Sequence, residues 1–450
     1  MDTGDTAWIL TSAALVLLMT PGLAFFYGGM VRAKSTLNMI MMSIGSIGLV
    51  GVLWVLFGYS LAFGDDIAGG LYANPFEYFG LEGLLGEDAL AGTLPATAFV
   101  AFQAMFAIIT VALISGAIAD RARFGPWLLF AGLWATLVYF PVAHWVFDFD
   151  TTDDAGNVTD AGGWIANQLK AIDFAGGTAV HINAGAAALA LAILLGRRVG
   201  WPREPMKPHN VPLVMLGAGL LWFGWFGFNA GSAVAANGTA AVAFVNTLVA
   251  TCSGMLAWLL VERIRDGRPT MVGAASGIVA GLVAITPACS SVTPLGAIAV
   301  GAIAGAVCAV CITLKYRLGY DDSLDVVAVH LVGGLVGTLA IGFFASAVAP
   351  AGVDGLFYGG GVDQLWRQAV GAGAVLAYSF TAALILGFIV KATVGFRLDA
   401  EAEATGIDEA EHAESAYEFG GLRGGGAASG LGSHSASALD KIPATAGKEG

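Results

Sequence analysis

Asp173-Phe-Ala-Gly-Gly-Thr-Ala-Val-His181-Ile182 and Asp325-Val-Val-Ala-Val-His330-Leu331 decide how this chain is read. Each leads from an acid through small or apolar residues to Val-His and a branched aliphatic. Both lie in stretches apolar enough to sit in lipid. A titratable side chain at membrane depth is costly and marks function by default, although a buried histidine can also simply bond neighbouring carbonyls. Two of them in comparable positions of the two halves point to a translocation path between inverted repeats.

Working outward, 57% of the 450 residues are hydrophobic and 12% charged, and the mean hydropathy is +0.76. Soluble domains carry about a quarter charged residues. The chain is therefore an all-α polytopic membrane protein, and its 64 glycines suit close helix approach in lipid. A span needs about 20 apolar residues. Eleven such runs are predicted, over 7–31, 39–63, 95–119, 126–149, 174–196, 211–232, 239–261, 271–288, 292–315, 326–349 and 368–394. The eighth is short and Gly-rich with Pro287 near its end. The opening Met1-Asp-Thr-Gly-Asp5 has no basic n-region, so the first span reads as retained rather than as a signal peptide.

Charge fixes an expected orientation. Arg32, Lys34, Arg121, Arg123, Arg197, Arg198, Arg203, Lys207, Arg263, Arg265, Arg268, Lys315 and Arg317 fall in alternate loops, and the opposite loops hold only Lys170 and Arg367. The positive-inside rule then places the N-terminus outside and the C-terminus in the cytoplasm of a cell-membrane protein. The outer loops carry Asp65, Asp66, Glu77, Glu82, Glu87, Asp88, Asp150, Asp153, Asp154 and Asp160. They form either a cation-attracting vestibule or a general acidic surface. The net charge of −13 argues against nucleic acid as a partner. Cys308-Ala-Val-Cys311 reads as small packing side chains inside a span, so no disulfide and no metal are assigned. No nucleotide-binding fingerprint or nucleophile elbow is present, which excludes an ATP-driven pump in this chain and speaks against an enzyme or a cofactor.

Spacing becomes depth. His181 lies eight residues past Asp173, about 12 Å down a helix, and His330 reaches similar depth on an antiparallel helix. Two neutral imidazoles can share one hydrogen bond and keep outer faces for a small donor–acceptor molecule, or relay a proton. Phe102 and Phe106 share a face of the third helix. The sixth ends in Trp222-Phe-Gly-Trp-Phe-Gly-Phe228-Asn229-Ala-Gly-Ser232. Rings of this kind attract cations or close a narrow lumen, or else simply pack. Asp173, at a helix start, is expected to stay ionised by accepting backbone N–H groups.

These stretches, with Phe25-Phe-Tyr-Gly-Gly-Met-Val-Arg32 and Ile285-Thr-Pro-Ala-Cys289, resemble the Amt branch of the Amt/Mep/Rh ammonium transporter superfamily from about residue 5 to 418. The resemblance implies a homotrimer of eleven-helix subunits, each with its own pore and a five-plus-five inverted repeat. It implies ammonium recruitment at Ser232 with an aromatic cage of Phe102 and Phe106, a gate of Phe106 and Phe228, and a twin-histidine centre of His181 and His330. Asp173, Asp325 and Thr286 take supporting places. One departure stands out. Family members often carry a cage tryptophan three residues after the histidine of Pro141-Val-Ala-His144, where this chain has Phe147; Trp145 is the other candidate.

Three regions follow: the membrane domain over 1–394, a cytoplasmic regulatory segment over 395–419 and a flexible tail over 420–450. The segment Val394-Gly-Phe-Arg-Leu-Asp399 to Tyr417 resembles the family's regulatory segment, which implies a PII signalling protein as partner. The expected function is ammonium uptake, by deprotonation at an outer vestibule and conduction of ammonia with or without the proton. The alternatives are a passive channel for ammonia or carbon dioxide, and an ammonium sensor signalling through the C-terminal segment.

Overall fold

The computed structural model describes residues 1–153 and 155–417. Among the described residues, ten helices are long and apolar enough to cross a membrane. They are α1 (Thr3–Met30), α2 (Ala33–Phe63), α3 (Ala96–Ile118), α4 (Phe124–Phe147), α5 (Gly177–Leu195), α6 (Val211–Gly231), α7 (Gly238–Arg265), α9 (Pro294–Leu318), α10 (Val327–Phe344) and α11 (Asp363–Thr393). The eighth, α8 (Met271–Ile285), is a shorter apolar helix. It ends where Thr286-Pro287 turns the chain, as its composition foretold. Two short helices follow, α12 (Ala400–Thr405) and α13 (Ile407–His412). Hairpins β1–β2 (Leu90–Ala91, Leu94–Pro95) and β3–β4 (Thr151–Thr152, Val158–Asp160) decorate one face. That face carries most of the loop carboxylates and is called acidic below; the opposite one carries the arginine-rich loops and is called basic. The expected 420–450 tail lies outside the described residues, as do Glu418 and Phe419.

Helices α1 and α6 form the central pair of the bundle, and their contact is backbone against backbone. A Cβ at Gly22 would meet the Leu221 nitrogen and Leu220 Cβ, and one at Gly217 would meet the backbones of Phe26 and Gly22. Small residues earn their place here because lipid offers no hydrophobic drive, so close van der Waals approach must hold helices together.

The two halves repeat each other upside down. The Phe174 N–H, just before α5, donates to the Pro287 carbonyl at the end of α8 (3.2 Å). The Ser323 N–H, just before α10, donates to the Ala117 carbonyl at the end of α3 (3.2 Å). Both α5 and α10 open with a wide π-type turn, Gly177–Ile182 and Val327–Val332, each containing one of the two histidines. Each half thus hooks its fifth helix onto the third helix of the other.

Candidate functional site

On the acidic face a cavity of about 750 Å³ opens between α3, the end of α4, the start of α5 and the end of α6. Its walls include Phe99, Gln103, Phe106, Phe147, Asp173 and Ser232. Spacing on α3 explains three of these, since residues 99, 103 and 106 share one helix face. Ser232 follows the last turn of α6, where its hydroxyl donates to the Phe228 carbonyl (2.8 Å).

The floor of the cavity is aromatic. Phe106 and Phe228 stack with centroids 4.1 Å apart at 18°. Phe102 stands behind Phe106, edge to face at 4.9 Å, and does not line the cavity. Phe147 presents its ring to Phe106 at 6.3 Å. Trp145 turns the other way: its indole N–H donates to the Leu71 carbonyl (2.8 Å), and its ring packs on Tyr378 and Trp164. Of the two candidates for the wall facing Phe106, the structure places Phe147 there. Helical geometry explains why, because successive residues diverge by 100° and a residue two positions earlier faces away.

Beneath the stacked rings lies a narrow void lined by Leu23, Phe26, Ile109, Leu113, Val180, His181, Leu221, Trp225, Phe228, Val279 and His330, among others. It measures about 10 Å³, no more than one water needs. Its only polar lining comes from the two histidines and the Trp225 indole. The imidazoles of His181 and His330 approach Nδ1 to Nδ1 at 3.2 Å, with the rings stacked at 5.3 Å. One Nδ1 must donate and the other accept, so one Nε2 is left as an acceptor and the other as a donor. His181 Nε2 is buried without a hydrogen-bond partner. Trp225 stacks on His181 (5.4 Å, 21°), and its N–H donates to Thr286 Oγ1 (2.8 Å). Thr286 in turn donates to the Leu282 carbonyl (2.7 Å). Thr286 therefore stands behind Trp225 rather than in the lumen wall. Trp225 was not singled out in the sequence, although it lies in the same aromatic run as Phe228.

Asp173 is buried before α5, and four amides converge on it. Gly176 and Gly177 donate to Oδ1 (2.8 and 2.7 Å), Thr178 and Ala179 to Oδ2 (2.8 and 3.0 Å). Gly176 makes the turn possible at φ +112°, a region an L side chain avoids. The matching turn before α10 revises the sequence comparison. Asp322, not Asp325, stands eight residues before its histidine and accepts the Val327 N–H (2.7 Å). Asp325 occupies the Gly176 position, with φ +61°. Its carboxylate pairs with Lys315 Nζ at 2.7 Å. Two acids three residues apart precede His330, and counting from the nearer one shifted the alignment.

The basic face is knit by ions. Arg198 binds Asp321 with Nε (2.9 Å) and Nη2 (2.9 Å) and reaches Asp120 with Nη1 (3.1 Å). Arg121, fully buried, donates to Ser323 Oγ (2.7 Å) and the Asp321 carbonyl (2.6 Å). The C-terminal segment joins in. Glu403 accepts from Arg397 (2.7 Å) and from the Val199 N–H (2.6 Å). Asp408 accepts the N–H groups of Leu37 and Asn38 at the start of α2 (3.0 and 2.9 Å), and Glu411 that of Phe124 at the start of α4 (3.0 Å).

Apolar membrane-crossing helices around a narrow lumen with a polar centre define a polytopic membrane protein built around a path. Comparison with known proteins names the kind. Residues 7–417 match the Ammonium Transporter Family. An ammonium transporter of Mycobacterium tuberculosis is 67% identical over 439 residues, covering 93% of this chain and 91% of that protein. One from Corynebacterium glutamicum is 46% identical over 420 residues, covering 93% and 90%. Among solved structures, Saccharomyces cerevisiae Mep2 superposes with a TM-score of 0.80 at 35% identity, covering 89% of this chain and 88% of that one. A structure named Sensor Amt Protein gives 0.82 at 29% identity, covering 91% and 98%. The chain belongs to the ammonium transporter family, whose members are transporters and not enzymes.

Proposed function

We propose that this protein takes up ammonium, with the acidic face outward and the C-terminal segment in the cytoplasm. The observation that carries the reading is the imidazole pair at the bottom of a narrow, ring-capped lumen. The acidic vestibule raises the local concentration of cations, and Phe147, Phe106 and Ser232 offer a site for a small one. A vestibule alone separates ammonium from potassium poorly. The lumen adds the discrimination, because ammonium can give up a proton and cross as ammonia, whereas potassium cannot shed its charge. The stacked Phe106 and Phe228 gate the passage. Below them, one Nε2 acceptor and one Nε2–H donor match a molecule that both donates and accepts. Asp173 holds the turn that aims His181. Three such subunits form a homotrimer, and a PII protein binding below the three exits gains from trivalency.

The test is current and internal alkalinisation in proteoliposomes under an inward ammonium gradient, with potassium as control. Ammonium-evoked flux that potassium does not reproduce, lost or made unselective in His181→Ala and His330→Ala, is expected. Alkalinisation without current points to a passive ammonia channel. Ammonium binding without either signal points to a sensor. Equal responses to potassium overturn the reading.

A further inference from the structure

A third histidine is buried outside the lumen. His144 sits in the last turn of α4, fully buried, between two carboxylates. Its Nδ1 lies 3.0 Å from Asp148 Oδ2 and its Nε2 lies 3.5 Å from Asp66 Oδ1. Neither contact has hydrogen-bond geometry, but two carboxylates flanking one buried ring favour its charged form, so the arrangement reads as a positive charge wedged between two negative ones.

Three chain segments converge on this wedge. Asp66 belongs to the loop after α2 and also accepts the Gly70 N–H (2.8 Å). The Gly70 carbonyl accepts the Trp164 N–H (3.2 Å). The Asp148 carbonyl accepts the Gly163 N–H (2.9 Å) and Asn167 Nδ2 (2.9 Å). Between the two anchored residues, His144 and Asp148, the helix carries Phe147, whose ring forms a wall of the vestibule opposite Phe106.

We infer that His144 is a positioning residue for substrate capture: wedged between Asp66 and Asp148, it fixes the last turn of α4 so that Phe147 faces Phe106, and it makes capture sensitive to acid. The inference rests on the reading that ammonium enters by this vestibule. The groups facing the wedge are Asp66 from the loop after α2, Asp148 from α4 itself and Asp160 from β4, with Asp150 facing Asp148 in turn. Burial pushes the Asp148 carboxyl up to about 6, against the pull of His144. Burial and the neighbouring Asp65 and Glu77 also raise the Asp160 carboxyl. As the pH falls through about 6, a proton therefore settles on Asp148 and its ion pair with His144 is lost.

The experiment measures ammonium-evoked current against concentration in proteoliposomes, at outside pH from about 7.5 to about 5, for the parent protein, His144→Gln and Asp148→Asn. The parent should lose apparent affinity as the pH falls through about 6. His144→Gln should raise the half-saturating concentration about three- to tenfold, corresponding to roughly 1 kcal/mol of capture, while maximal current changes less than about twofold, the pattern of lost binding rather than lost conduction. Asp148→Asn should flatten the pH profile at a smaller cost in affinity, because the amide oxygen still accepts. Asp66→Asn, in a surface loop, gives the same reading if His144→Gln does not fold. Unchanged affinity and an unchanged pH profile in these variants overturn the inference alone, as does a parallel fall in affinity and maximal current. Absence of ammonium current in the parent overturns the transport reading and this inference with it.

Discussion

At the start of α5, Asp173 gathers four backbone N–H groups. At the start of α10, Asp322 takes the Val327 N–H and shares its surroundings with Lys315 and Asp325. The two turns are repeat mates, eight residues ahead of facing histidines, yet they hold their acids by different physics. Oriented amides and a helix dipole stabilise the first. At the second, the acid accepts the Val327 N–H in a buried setting while its neighbour Asp325 takes the ion pair with Lys315, on the face where Arg121, Arg198 and Lys315 crowd together. A repeat thus conserves geometry while each copy adapts its electrostatics to the side of the membrane it meets.

The largest expected effect is at Asp173. Asp173→Ala strips four amides of their acceptor, at roughly 1–3 kcal/mol for each buried group left unmade. Ammonium flux should fall more than about tenfold and thermal stability should drop. Asp173→Asn keeps part of the bonding and should fall between. Normal flux and melting of Asp173→Ala would show that the α5 turn does not depend on its acid, and the contrast with α10 would break.

A middle-sized effect is predicted for Asp322. Burial, reinforced by Asp325, pushes its carboxyl up to about 6. A folded-state value above the ordinary one means the native protein holds a proton that the unfolded chain releases. That contribution is present in acid and is lost as the pH rises from about 4 to about 6, by on the order of 2 kcal/mol. Denaturation of Asp322→Asn in detergent should show a flatter stability profile across that window. A slope identical to the parent's would mean that Lys315 neutralises the site at all pH values.

Much of the membrane architecture was legible because length and hydropathy are read directly by lipid. All eleven apolar helices appear, and even the shortness of α8 could be read from its glycines and Pro287. The histidine pair was legible because polar residues in such runs are rare. What escaped depended on tertiary approach or on register. Asp322 lost to Asp325 because two acids compete for one alignment. Trp145 and Phe147 were inseparable until the turn of α4 was set in space. His144 and Asp148 form an i,i+4 pair the spacing did contain, but Asp66 comes from a loop some eighty residues earlier, so no local pattern could announce the wedge. Gln103 and Phe99 sit on the face of α3 that carries Phe106, a signal the spacing did contain.

The smallest effect concerns the C-terminal segment, where the contrast between amide-held and ion-held acids recurs. Asp408 and Glu411 supply acceptors to the first turns of α2 and α4. Neither Ser35, where the opening 3-10 turn of α2 passes into α-helix, nor Arg123, at the N-cap of α4, caps with its own side chain. Asp408→Ala should cost about 1 kcal/mol, the usual worth of a helix cap, and hydrogen exchange at Leu37 and Asn38 should quicken by about fivefold. No change in exchange would show that Asp408 does not stabilise the first turns of α2.

The glycine seam between α1 and α6, with the reciprocal hooks from Phe174 to Pro287 and from Ser323 to Ala117, bears on how such a molecule can move. Transporters that rock one half against the other need a lubricated joint between them. This joint is a weld. Backbone touches backbone at its centre, and each half is latched to the other on both faces. The soft coordinates that remain are the torsions of a few rings, above all Phe106 and Phe228. Turnover should then follow the flicker of side chains rather than the swing of domains, and the frame around them can stay still from one passing molecule to the next.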